Sequence, residues 1–315
     1  FGHKFVTLQR TKMTIAMRYL NPKADLTFKK VFGEHPNLIK SLLNALLPFD
    51  CPEEEIEDIE YLPPELVPDT PMKKNSIVDV RCKDKQGRQF IVEMQMLWSP
   101  AFMQRVLFNA SKAYVRQLGG TSKYDLLQPV YSLNLLNDIF LPDVESYYHD
   151  YRIVQVEHTD KVIEGLRFIF VELPKFTPHT YNEKKMQVLW LRYLTEIDEQ
   201  TRQVPQELLG NPEIHQAVMQ IEESAFSDAQ LLGYDAFWDS VRVENTLISD
   251  ALKKGREEGR TEGLEQGLEQ GREQGLEQGR AEERLDIARK MKAQSLPVET
   301  IKLVTGLSEA EIADL

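Results

Sequence analysis

Residues 76–96 read SIVDVRCKDKQGRQFIVEMQM, and the fold turns on how this stretch pairs with itself. SIVDVRC is a β-branched run holding one acid, Asp79. QFIVEMQM is a second such run, holding Glu93 and Gln95. The polar link KDKQGR between them carries one glycine, Gly87. Two β-rich runs joined by a short glycine-containing link predict a hairpin. A turn centred near Lys85 and Gln86 sets Asp79 opposite Glu93. Glu93 and Gln95, two residues apart, share one face of their strand. The three side chains can therefore converge on one patch.

From spacing alone that patch has two readings. One is a solvent-facing polar stripe on an edge hairpin. The other is a divalent metal site. Ile77, Val78, Val80, Ile91 and Val92 around the acids indicate burial on both faces, where facing carboxylates repel and lose hydration. Mg²⁺ relieves both costs and keeps waters in its shell. Such waters act as nucleophiles, and the ion stabilises charge on a phosphate.

Composition bounds the classes. The chain has 315 residues, 42% hydrophobic, enough for one medium domain with appendages or two small ones. Its formal charge of −12 is uneven: residues 1–130 hold 18 Lys and Arg against 15 Asp and Glu, the remainder 20 against 35. DNA affinity would rest on a local basic patch and metal rather than on the global field. Cys51 and Cys82 show no disulfide or zinc spacing, and a reducing cytoplasm is the expected setting. No run approaches a membrane span, so no membrane partner is expected. Residues 1–16 are patternless and are read as an upstream extension.

Around the hairpin, the chain from Pro22 to Glu34 (PKADLTFKKVFGE) is an amphipathic helix with Asp25 and Lys29 on one face. PNLIKSLLNALLP is a second helix with a leucine stripe. An acid- and proline-rich loop leads into the hairpin. SPAFMQRVLFNASKAYVRQLGG is a helix carrying Arg105 and Tyr114, ending at Gly119-Gly120. Further strands are expected over Val130–Phe140, YRIVQVEH and GLRFIFVELPKF. Glu172, at a strand end before Pro174, reads as structural. Residues 182–252 read as helical.

The pattern Asp79-x13-Glu93-x-Gln95 resembles the PD-(D/E)xK nuclease core. With the D-x-x-F-K-x-x-F-G form at Asp25–Gly33, the Arg105/Tyr114 spacing and FVELPKF, it is similar to the PD-(D/E)xK family transposases, also called the Rpn or recombination-promoting nuclease group. The likeness covers roughly residues 18–250. It implies an α/β, restriction-endonuclease-like core: a mixed central sheet flanked by helices. It implies a metal-dependent DNA endonuclease using Mg²⁺ or Mn²⁺ and linked to recombination, mobile elements or defence. Asp79, Glu93 and the Met94 backbone carbonyl would hold the metal, and Gln95, where most of the superfamily has Lys, would orient the attacking water. Asp25, Lys29, Arg105 and Tyr114 would support the site, Arg105 by gripping a phosphate, while Tyr114 also reads as a structural residue. The rival reading is a weakly catalytic nuclease fold that binds or regulates through its C-terminal tail.

The expected organisation is a core over 17–180, a helical cap over 181–252, a repeat over 253–294 and a helix-turn-helix-like tail over 295–315. In the repeat, glycine recurs every fourth residue from Gly255 to Gly279. Each costs about 1 kcal/mol in a helix. A partly helical spacer and a self-association helix, and with it a homo-oligomer, both fit. In the tail Ser308 can cap a final helix. That helix is acidic, which favours protein docking over base reading.

Overall fold

The computed structural model describes residues 18–49, 51–66, 76–118, 123–178 and 185–315. The expected leader and the helix stop at Gly119-Gly120 lie outside the described residues. The chain divides into two compact units, Phe1–Val243 and Glu244–Leu315.

The first unit opens with α1 (Asp25–Glu34) and α2 (Pro36–Leu46). Short strands β1 (Glu60–Tyr61), β2 (Glu65–Leu66) and β3 (Ser76–Ile77) follow. The hairpin is β4 (Val80–Lys83) and β5 (Gln89–Gln95). Then come α3 (Pro100–Val115), β6 (Val130–Leu136), β7 (Tyr148–Gln155) and β8 (His158–Glu172). Helices α4 (Lys185–Glu196), α5 (Gln206–Leu209), α6 (Pro212–Gln220) and the start of α7 (Asp228–Ala293) complete the unit.

Six strands form a mixed sheet in the order β1-β4-β5-β6-β8-β7. β5, β6 and β8 run parallel, and the outer pairs are antiparallel. The parallel step from β5 to β6 needs a crossover, and α3 supplies it. Alternation along the strands sorts the two faces. Val80, Cys82, Phe90, Val92, Leu133 and Leu135 pack on one face with α1, α2, α4 and α6. Ile91 and Val130 pack on the other against Ala110 and Ala113 of α3. This is the restriction-endonuclease-like architecture expected from the sequence.

The hairpin register pairs Val80 with Val92 and Lys83 with Gln89. Its turn is locked by Asp84, whose carboxylate accepts from the Gln86 and Arg88 backbone and ion-pairs with Arg88 at 2.6 Å. Gly87 supplies the left-handed conformation the turn needs (φ +85°). One departure matters. SIVDVRC is not one strand: Ser76–Ile77 pairs with β2 in a separate two-stranded sheet, and the chain bends at Asp79 before β4 begins. The two final runs both start earlier than expected, β7 at Tyr148 and β8 at His158, and they form one antiparallel hairpin, β7–β8.

In the second unit the glycine repeat lies within α7, an unbroken α-helix through Ala293. Helices α8 (Val298–Thr305) and α9 (Glu309–Ala313) pack through Ile301 and Ile312 against Ala288. Ser308 and Glu311 form the reciprocal cap of α9. Among the described residues, no helix is long and apolar enough to cross a membrane.

Candidate active site

The bend at Asp79 decides the site. Continuing the β4–β5 register would bring Val78 opposite Met94. The chain turns away instead, and the Met94 backbone N–H donates to Asp79 Oδ2 at 2.8 Å. A carboxylate thus replaces a ladder carbonyl. Met94 and Gln95 alternate along β5: the Gln95 carbonyl accepts from Asn137 N–H on the β6 side. The Met94 carbonyl therefore faces the Asp79 side, where β4 has ended.

Glu93 projects from β5 toward α3. It is 5% exposed, and its Oε1 accepts from Nδ2 of the buried Asn109 at 2.9 Å. Its Oε2 lies 3.6 Å from Arg105 Nη2. Arg105 and Asn109, four apart on α3, share the face that meets β5. The Arg105 Nη2 also donates to Gln95 Oε1 at 2.7 Å, while Gln95 Nε2 donates to the Leu97 carbonyl at 2.8 Å. Both ends of the Gln95 amide are thereby engaged.

From the other face of the sheet, α1 contributes Lys29. Its ammonium is 2.6 Å from Asp25 Oδ1 and 3.8 Å from Asp79 Oδ1. Two helices on opposite faces thus each deliver one cation to one acid at the mouth of the hairpin.

Burial dominates the electrostatics. Desolvation pushes the Asp79 carboxyl up, against the Met94 N–H and Lys29, with Asp25 adding to the rise. Desolvation likewise raises Glu93, against Asn109 and Arg105, with Asp79 adding to the rise. Each acid commits one oxygen to a neutral donor. Its other oxygen faces a cation at ion-pair distance on a long, movable side chain. That set suits a hard divalent cation. Among the described residues no three His, Cys, Asp or Glu side chains cluster as ligands. A metal here would therefore lean on the Met94 carbonyl and waters.

A family model described as PD-(D/E)XK nuclease family transposase matches residues 22–251. The chain belongs to this family. No curated protein and no solved structure matches it. The family match spans every residue of the site, from Asp25 on α1 to Asn109 on α3.

Of the nuclease-family positions expected from the sequence, Asp25, Lys29, Asp79, Glu93, Met94, Gln95 and Arg105 are brought together. Tyr114 is not. It packs with Ala110, Ala113 and Ile91, and its ring fills the space over Gly165 of β8, where an added Cβ would meet the hydroxyl at 3.2 Å. Five residues beyond Asn109, it falls on another part of the α3 surface. Asn109 was missed. Its only sequence signal was its place four residues after Arg105 on an otherwise apolar helix face.

Proposed function

We propose that this nuclease-family chain is a metal-dependent endonuclease that hydrolyses DNA phosphodiester bonds. The observation that carries the reading is the pair of desolvated carboxylates, each with one oxygen left to a movable cation. When bound, Mg²⁺ or Mn²⁺ supplies an activated water and stabilises charge on the phosphate. Asp79, Glu93 and the Met94 carbonyl hold the ion. Asn109 orients Glu93, as an outer partner of a ligand does.

Arg105 and Lys29 neutralise the acids in the metal-free protein, and both would be free to turn to phosphate oxygens were the acids to hold a metal. Gln95 is here a positioning residue for Arg105, in place of the water-orienting role expected from sequence. Asp25 holds Lys29. Conserving stability would favour replacing such acids in a purely structural module, so a non-catalytic binding role leaves their desolvation unexplained.

The test is plasmid nicking with Mg²⁺ or Mn²⁺. Wild type should nick, and Asp79→Ala and Glu93→Ala should each lose activity while keeping the circular dichroism of the folded chain. Wild-type rates in either variant would remove the acid pair from the chemistry.

A further inference from the structure

A cleft of about 600 Å³ lies between α1 and the first turns of α7, beside the acid pair. Its wall carries Asp25, Lys29, Lys30, Glu34, Gly233 and Phe237. Lys29 belongs to both places: its ammonium touches Asp25 of the cleft and reaches toward Asp79. A phosphate held at Asp79 and Glu93 would therefore have the cleft as its immediate neighbour.

We propose that this cleft is a subsite for the base of one unpaired nucleotide flanking the scissile phosphate. The proposal rests on the nuclease reading and adds a substrate class to it. The volume is that of a pocket for one small molecule. It takes a single nucleotide and not a duplex, so the base must be single-stranded or turned out of its pair.

The wall chemistry favours a base over a bare anion. Two carboxylates offset two ammoniums, and one ammonium, Lys30, is already engaged with the Ala225 carbonyl and the Phe226 ring. Asp25 and Glu34 can accept from exocyclic amino groups of a base edge. The half-buried Phe237 ring offers a stacking face. Lys29, at the boundary, is placed for the phosphate. At Gly233 an added Cβ would meet nothing within 4 Å, so the wall is open there.

That opening provides the test. Gly233→Phe should fill the cleft without strain, because the site is helical and a side chain favours helix over glycine. Fluorescence anisotropy would compare a labelled single-stranded oligonucleotide with the same sequence as duplex, on full-length wild type, Gly233→Phe and Phe237→Ala, with divalent metal chelated so that the probe is not cut. Wild type should bind the single strand more tightly than the duplex. Both variants should weaken single-strand binding about tenfold or more, the size of one stacked base. Equal single-strand affinities for wild type and Gly233→Phe would overturn the subsite, as would a preference for duplex. Nicking by wild type reads the nuclease assignment separately, so failure of that assignment is distinguishable from failure of the subsite.

Discussion

Glu93 and Glu172 lie near the ends of two strands of the same sheet, both within 5% of full burial, and their surroundings differ in kind. Glu172 is saturated. Its Oε1 accepts from the Phe140 and Leu141 backbone N–H, and its Oε2 from His149 at 2.8 Å and Lys175 at 2.5 Å. Burial raises its carboxyl, but the bonds from Lys175, His149, Leu141 and Phe140 outweigh it and hold Glu172 below the usual range. Among the described residues Glu93 has one close neutral donor and one longer ion pair, and burial keeps it raised. A carboxylate that fastens a fold is given all its donors. Glu93, the acid proposed to hold a metal, is left short of them.

The two acids respond to pH with opposite sign. Glu172, depressed in the folded state, stabilises above the unfolded carboxylate range, and this is lost as pH falls through its folded value. Asp79 and Glu93, raised in the folded state, hold protons longer than in the unfolded chain. Without metal, their contribution falls as pH rises from the ordinary carboxylate range through the raised values.

The contrast can be broken most severely at Glu172. Glu172→Ala takes the acceptor from His149 and from the Phe140 and Leu141 N–H, leaves Lys175 only the Leu141 and Val144 carbonyls, and should cost about 3–5 kcal/mol in urea unfolding. A loss below about 1 kcal/mol would mean the network is not structural. Next is Asn109→Ala, which removes the amide donor to Glu93. Calorimetry should show Mn²⁺ affinity falling about 10–100-fold, the usual effect of losing an outer partner; unchanged affinity would reduce Asn109 to a space filler. The smallest effect concerns Gln95. Gln95→Ala and Arg105→Ala should be non-additive in cleavage rate by about 1 kcal/mol, since one side chain holds the other. Additive losses would return Gln95 to the water-orienting role expected from its sequence.

Much of this is legible in the sequence. The hairpin register follows from a short turn with Gly87, so the Asp79–Glu93 juxtaposition could be read from spacing, and the i,i+4 rule gave the Asp25–Lys29 pair. The bend at Asp79 was not legible. Ile77, Val78 and Val80 are all β-branched, and local propensity carries a strand straight through; the interruption comes from Asp79 taking the Met94 N–H. Asn109 and Tyr114 show the same limit on α3. Helical spacing ranks residues by face, but which polar residue meets Glu93 depends on where α3 crosses the sheet. In the repeat, seven glycines lower helix propensity, yet the intervening Glu, Gln, Arg and Leu keep α7 continuous.

The most direct measurement is thermal unfolding of wild type, Asp79→Asn and Glu93→Gln at neutral pH, with and without Mg²⁺ or Mn²⁺. Without metal both variants should melt above wild type, because each removes a desolvated charge. With metal, wild type should rise, by about 2.7 kcal/mol at a hundredfold excess over the dissociation constant, and neither variant should follow. Variants that melt below wild type without metal and still gain the full metal shift would contradict the assignment of Asp79 and Glu93 as an underserved, metal-binding pair.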